Sequence, residues 1–107
     1  MSAGPLAGRQ FLFDYGQNAK FLLHFLLNGE VEVTALAGVR YSISNAEIFA
    51  VDACEQSPGE YRIRWYDPVE QTKLLHHVDF TNGRTDVEIE DKRLNETRRF
   101  SGCVSPA

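Results

Sequence analysis

A chain of 107 residues with 43% hydrophobic and 24% charged residues has the size and balance of one soluble globular domain around a single core. Its net charge of -4 argues against a nucleic-acid binder, which needs a concentrated positive surface, and no apolar run approaches the roughly 18 residues of a membrane helix. Cys54 and Cys103 fit neither a zinc spacing nor a disulfide-rich scaffold, so they read as reduced thiols in a cytoplasmic protein, with a Cys54–Cys103 bridge as the alternative.

Residues 1–9, MSAGPLAGR, lack a charged segment followed by a long apolar one, so they are expected to be a flexible tail and not a signal peptide. From residue 10 onward the dominant period is two. Tyr61-Arg-Ile-Arg-Trp65 alternates apolar and charged residues without exception, and Val31-Glu-Val-Thr-Ala35 and Val87-Glu-Ile89 behave alike. Turn signals separate such runs: Tyr15-Gly16-Gln17-Asn18, Asn28-Gly29, Ser57-Pro58-Gly59, Asp67-Pro68 and Asn82-Gly83. The strands expected are 10–15, 20–27, 30–36, 40–45, 47–55, 60–66, 72–80, 84–90 and 97–104. Residues 19–27 are rich in helix formers, but the run is short and ends in Asn28-Gly29 followed by an alternating segment, which favours a strand. The fold expected is all-β: an antiparallel meander of eight or nine strands over residues 10–104, closed into a small barrel so that no edge stays exposed, with 105–107 as a tail. No internal repeat is evident beyond the two Asn-Gly pairs.

Those two pairs, treated as two-residue type I′ loops, set a register. In the first hairpin Phe25 then opposes Glu32 and His24 opposes Val33, which turns His24 inward beside Leu22, Leu26, Val31 and Val33. The same register leaves Phe21, Leu23, Phe25 and Leu27 on the outer face, an apolar patch suited to a homodimer. In the second hairpin Phe80 opposes Thr85, Val78 opposes Val87 and His76 opposes Ile89. His76 therefore faces the core with Leu74, Val78, Phe80, Thr85 and Val87, while His77 and Asp79 face solvent beside Arg84, Asp86 and Glu88. Neighbouring histidines on one strand point to opposite faces, so His76-His77 cannot chelate one ion, and no metal or other cofactor is expected.

A buried imidazole must find a partner or a wet cavity, because an unpaired polar group costs about 1–3 kcal/mol. His76 and His24 thus either bond a carbonyl or a tyrosine hydroxyl inside the core, or line a ligand cavity together with Tyr61 and Trp65. Along 47–55, packing favours Phe49, Val51 and Ala53 inward; the other register would bury Asp52 as a general-base candidate.

The pieces FLFDYG, KFLLHF, EYRIRWYDP, LLHHVDFTNGRTDVEI and RRFSGCV resemble, in that order, the MoaF-like, lipocalin-like domain, a small calycin-type barrel. His77-Val78-Asp79-Phe80 and Phe100-Ser101-Gly102 carry the likeness best. The resemblance implies a barrel of eight or nine strands with a central pocket and assigns no catalytic residue; the Gly-x-Trp of true lipocalins is not present. The function expected is a binding barrel holding a small, partly apolar molecule. The alternatives are a metal-independent isomerase, dehydratase or decarboxylase using His76 as general acid or base, and a homodimeric interaction domain with a solid core.

Overall fold

Strand length and loop chemistry alternate with such regularity in this chain that the sheet winds up one hairpin at a time. The computed structural model describes residues 4–38 and 46–107. After a short 3-10 turn at Gly4–Leu6 come eight strands: β1 (Gln10–Asp14), β2 (Ala19–Phe25), β3 (Glu30–Gly38), β4 (Glu47–Ser57), β5 (Glu60–Asp67), β6 (Thr72–Asp79), β7 (Arg84–Asp91) and β8 (Glu96–Pro106). Each pairs antiparallel with its sequence neighbours, and β8 returns to β1, closing the barrel. Among the described residues every strand has a partner on both sides, as the meander pattern predicts, although β3 runs on past its last pair with β4, Val33 with Glu47. The expected strand over 40–45 lies outside the described residues.

The segment expected as a tail is in fact packed from the 3-10 turn onward. Leu6 is buried in the core, the Gly8 amide donates to the Phe25 carbonyl at 2.7 Å, and the Phe25 amide donates to the Arg9 carbonyl at 2.9 Å. Likewise β8 runs through residue 106, and the Ala107 amide donates to the Gln10 carbonyl. The apolar Leu6 side chain anchors what polarity and glycine content alone would leave loose.

Neither Asn-Gly pair forms a type I′ turn. That turn needs positive φ at both central residues, but only Gly29 (φ 82°) and Gly83 (φ 67°) adopt it; Asn28 and Asn82 do not. Around Gly29 the loop has three residues: the Leu26 amide donates to the Glu30 carbonyl, and Phe25 pairs with Val31. Around Gly83 the loop has four, with Asp79 paired to Arg84. Relative to a two-residue loop, the first register slips by one residue and the second by two. A slip of one exchanges the faces of a strand, and a slip of two preserves them.

The first slip overturns two expectations. Phe21, Leu23 and Phe25 are fully buried in the barrel, not displayed on its outside, and of the expected dimer patch only Leu27 is exposed (81%). His24 pairs with Glu32 on the outer face, its Nδ1 3.7 Å from the Glu32 carboxylate. The second slip leaves His76 inside, opposite Val87 and not Ile89. In β4 the favoured direction holds: Val51 is buried, Phe49 and Ala53 pack against the core, and Asp52 bonds Arg64 at 2.7 Å outside.

A repeat does exist, with a period of twelve. Strands β5, β6 and β7 have eight residues each, and a four-residue loop follows each one. Every such strand ends in an aspartate (Asp67, Asp79, Asp91) whose Oδ1 accepts two loop amides at 3.0–3.2 Å. Every loop ends in a residue with positive φ: Gln71, Gly83 and Asn95. The Gln71 and Gly83 carbonyls then accept from the Lys92 and Val104 amides on the hairpin beyond, both at 3.0 Å. Asp-capped turns of this kind satisfy loop amides that no ladder reaches.

The barrel closes where β8 crosses β1, and Gly102 permits the crossing. A Cβ there would overlap the Asp14 carbonyl and touch the Tyr15 Cα at 3.0 Å. Gly102→Ala is therefore expected to lower unfolding stability by about 1–3 kcal/mol, read as a reduced midpoint in urea denaturation; an unchanged midpoint would show that β1 and β8 do not meet at that distance.

Candidate functional site

The interior is filled. Phe13, Phe21, Phe25, Leu23, Ile63 and Leu74 are among the side chains wholly removed from solvent, and His76 sits among them at 0% exposure. Strand alternation explains the position: Leu74, His76 and Val78 follow one another on the inner face of β6. The imidazole lies in a box of rings. Trp65 stacks on it with centroids 4.9 Å apart and planes at 26°, Tyr15 at 5.8 Å and 22°, while Phe13 (5.0 Å) and Phe21 (5.9 Å) approach at steeper angles.

One side of that ring is satisfied. The Tyr15 hydroxyl lies 2.6 Å from His76 Nδ1 and 2.8 Å from Thr85 Oγ1, bridging the two across the barrel. Tyr15 stands just past β1, where its amide donates to the Ala19 carbonyl at 2.8 Å and holds the ring pointing inward. The other nitrogen, Nε2, has no hydrogen-bond partner among the described residues. Burial, aided by the neighbouring His77, pushes the His76 imidazole from 6.5 down to about 3, because a charged ring would lose its hydration. Burial also raises Tyr15, with the Thr85 hydrogen bond opposing it and Asp86 reinforcing it. At neutral pH both groups are uncharged, and the three residues form a polar tie inside an apolar core.

The expected site residues part company here. His76 and Trp65 meet. Tyr61 is buried toward the opposite end, its ring 5.5 Å from Phe80 and its hydroxyl raised by burial and by Glu55. His24 lies outside. Of the tempting pair His77 and Asp79, the first pairs with Arg62 and Asp86 on the outer face, and the second caps its turn. Asn82 hydrogen bonds hold the Asp79 carboxyl below its ordinary value. Among the described residues, no three His, Cys, Asp or Glu side chains converge on a metal-sized position. Cys54 and Cys103 are exposed free thiols.

Open space reaches the inner face at the end of the barrel where β5 runs into its Asp67 turn. Here β3 continues past its last pair with β4, Val33 with Glu47. Between the two strands opens a cleft of about 30 Å³ whose walls include Phe21, Phe49, Trp65 and Leu74, with Glu47 and Asp67 as its charged residues. Phe49 stacks on Trp65 at 6.5 Å and 24°, so Trp65 stands between the cleft and His76. A recess near Thr72 and Arg98 holds about 10 Å³, and two wider ones, of about 300 and 350 Å³, lie beside His77 and Asp86 and beside Asp52 and Lys73. Alternation along 47–55 and 60–66 could have indicated Glu47 and Asp67, since both continue the inward series two residues beyond Phe49 and Trp65. Tyr15 was hidden by Gly16, which marks it as a turn residue.

In shape the chain is similar to the crystal structure of "a putative beta-lactamase from Burkholderia vietnamiensis", with a TM-score of 0.85 and 15% identity over 100% of both chains. At that identity the likeness speaks for the barrel fold alone. The chain matches no protein-family model and no curated protein sequence. No helix among the described residues is long and apolar enough to cross a membrane.

The depressed imidazole makes stability depend on pH. The unfolded chain binds a proton at His76 below 6.5 and the folded chain only near 3, so this contribution is complete above pH 6.5 and is lost as pH falls toward 3. Across that window wild type should lose on the order of 1 kcal/mol per pH unit relative to His76→Phe, measured by urea unfolding at a series of pH values. Parallel pH profiles would show that the ring is hydrated. Tyr15→Phe, which strips a partner from both His76 and Thr85, should cost about 2 kcal/mol or more at pH 7, measured the same way.

Proposed function

We propose that the protein is a small-molecule-binding barrel whose ligand enters the cleft between β3 and β4 and rests against Trp65. The observation that carries this is the coincidence, at one barrel end, of an opening between β3 and β4 with an aromatic wall and two charged residues on the inner face. Ligand sites in small barrels take this form: apolar walls with a few polar groups to fix orientation. The ligand occupies the mouth and not the axis, which side chains fill. Trp65 makes the contact, and His76 acts one layer behind it, holding the indole by stacking. Neither Tyr61 nor His24 belongs to this site.

Catalysis by His76 finds less support. A ring sealed by four aromatic neighbours and uncharged down to about pH 3 exchanges no proton with a substrate at neutral pH. The structural neighbour's description does not transfer a reaction either, because the Ser-x-x-Lys of serine β-lactamases does not occur in this chain. The closed barrel agrees with the MoaF-like, lipocalin-like resemblance at the level of architecture, and binding without chemistry is the function we draw from it. Dimerisation through Phe21, Leu23 and Phe25 is not carried forward, since those side chains form the core.

Trp65 is the chain's only tryptophan, so its fluorescence reports the cleft directly. Titration with small amphiphiles such as benzylammonium, benzyl alcohol and benzoate should give a saturable change for at least one of them at millimolar concentration. Amide NMR shifts should concentrate on Val33, Ala35, Phe49 and Leu74. If none of the three perturbs either signal, the cleft is not a binding site.

A further inference from the structure

We infer that Tyr15, His76 and Trp65 form a one-electron relay inside the barrel. A diffusible radical oxidant, of the azide or carbonate class, removes an electron from Trp65. Tyr15 replaces that electron and passes its phenolic proton to His76 Nδ1. The inference stands on the packing of the core and does not require the cleft to hold a ligand.

Contact between the rings supplies the electron path. The imidazole lies nearly parallel to the Trp65 indole at 4.9 Å and to the Tyr15 phenol at 5.8 Å. Only these two ring contacts separate the electron donor from the acceptor. Indole, phenol and thiol are the side chains that give up an electron most readily, and both thiols of the chain are exposed outside the core.

The proton decides whether the electron can move. A phenol that loses an electron becomes a strong acid, so its proton must leave in the same step. Bulk water does not reach Tyr15, which is 3% exposed, and a base must therefore lie within hydrogen-bond reach. His76 Nδ1 stands 2.6 Å from the phenolic oxygen. The unpartnered Nε2 fixes which way that bond runs. A protonated Nε2 can direct its hydrogen at the surrounding ring faces, whereas a bare lone pair there would meet their negative charge. Nε2 therefore carries the imidazole hydrogen and Nδ1 accepts from the Tyr15 hydroxyl. The Thr85 hydroxyl donates in turn to the Tyr15 oxygen at 2.8 Å. Burial weakens His76 as a base, to about 3, yet an oxidised phenol is far more acidic and the transfer remains downhill.

The step balances. One electron passes from the phenol to the indole radical cation, the O–H bond breaks, and an Nδ1–H bond forms. The positive charge moves from indole to imidazolium. The products are neutral Trp65, a Tyr15 phenoxyl radical and a protonated His76 that donates to the phenoxyl oxygen. An electron from a solution reductant such as a thiol or ascorbate draws the proton back across the same bond. An oxidising equivalent thereby leaves the chain's only tryptophan for a phenol sealed in the core.

Pulse radiolysis of the full chain with azide radicals at pH 7 tests the relay, following indole-radical decay and phenoxyl-radical growth by absorption. Wild type should show phenoxyl growth that matches the indole decay, does not depend on protein concentration, and slows in heavy water. His76→Phe keeps a flat ring but removes the base, and it should slow the growth about a hundredfold. Tyr15→Phe should abolish it. Tyr66, exposed and next to Trp65 in sequence, is the competing donor, so Tyr66→Phe should leave the transfer at the wild-type rate. Growth that persists in Tyr15→Phe, or vanishes in Tyr66→Phe, would overturn the relay in favour of a surface donor. Wild-type transfer at equal rates in ordinary and heavy water, a result independent of how any variant folds, would refute proton transfer to His76. An indole radical that never forms, or that decays without phenoxyl growth, would show that no relay exists.

Discussion

Everything inside this barrel depends on how many residues each hairpin loop contains, because side chains alternate with a period of two and the loop sets their phase. One left-handed residue per loop is the governing constraint. With positive φ at Gly29 but not Asn28, the first hairpin closes around three residues and sends Phe21, Leu23 and Phe25 into the core. With positive φ at Gly83 but not Asn82, the second closes around four and keeps His76 inside. Two dipeptides of identical sequence thus have opposite consequences for the histidines beside them. The difference comes from their flanks: Asp79 accepts the amides of Thr81 and Asn82 and so holds the longer loop, whereas Asn28 instead bonds the Glu30 amide and side chain across the shorter one.

The interior that results is solid and almost wholly aromatic and aliphatic around one polar tie. Tyr15, His76 and Thr85 join the turn after β1 to β6 and β7, linking opposite parts of the barrel through two short hydrogen bonds. A network of this kind specifies packing more than it adds net stability, since burying its members offsets much of what the bonds contribute. The unpaired Nε2 is the price of placing an imidazole at that position. In return the ring presents a flat, neutral surface on which Trp65 stacks, and Trp65 in turn forms the wall of the cleft. The tie in the core and the cleft at the mouth are thereby connected by one pair of stacked rings.

The two barrel ends differ in character. At the Gly29 end the Leu6 side chain and the backbone bonds of Gly8 and Arg9 seal the core. At the Asp67 end the inner faces of β4, β5 and β7 finish in Glu47, Asp67 and Asp91. The same aspartates that fold the hairpins therefore make this mouth acidic. A structural device repeated every twelve residues places, at one of its occurrences, the Asp67 carboxylate beside an opening in the wall.

Period-two alternation made the all-β class, the strand positions from 47 onward, the inward direction of Tyr61, Trp65 and His76, and the outward direction of His77 and Asp79 legible from residues alone. Those features survive because alternation is local, and because the error in the second loop was even. The twelve-residue Asp repeat was equally present in the text of the chain, but it is a pattern of caps and left-handed positions, not of hydrophobicity. Only the tertiary structure decided the face of His24, the burial of Phe21, Leu23 and Phe25, the partnership of Tyr15 with His76, and the absence of a hollow axis. Each of these depends on a loop phase or on side chains from strands far apart in sequence meeting across the barrel. A periodicity of two describes one strand at a time and carries no information about which rings fill the space between them.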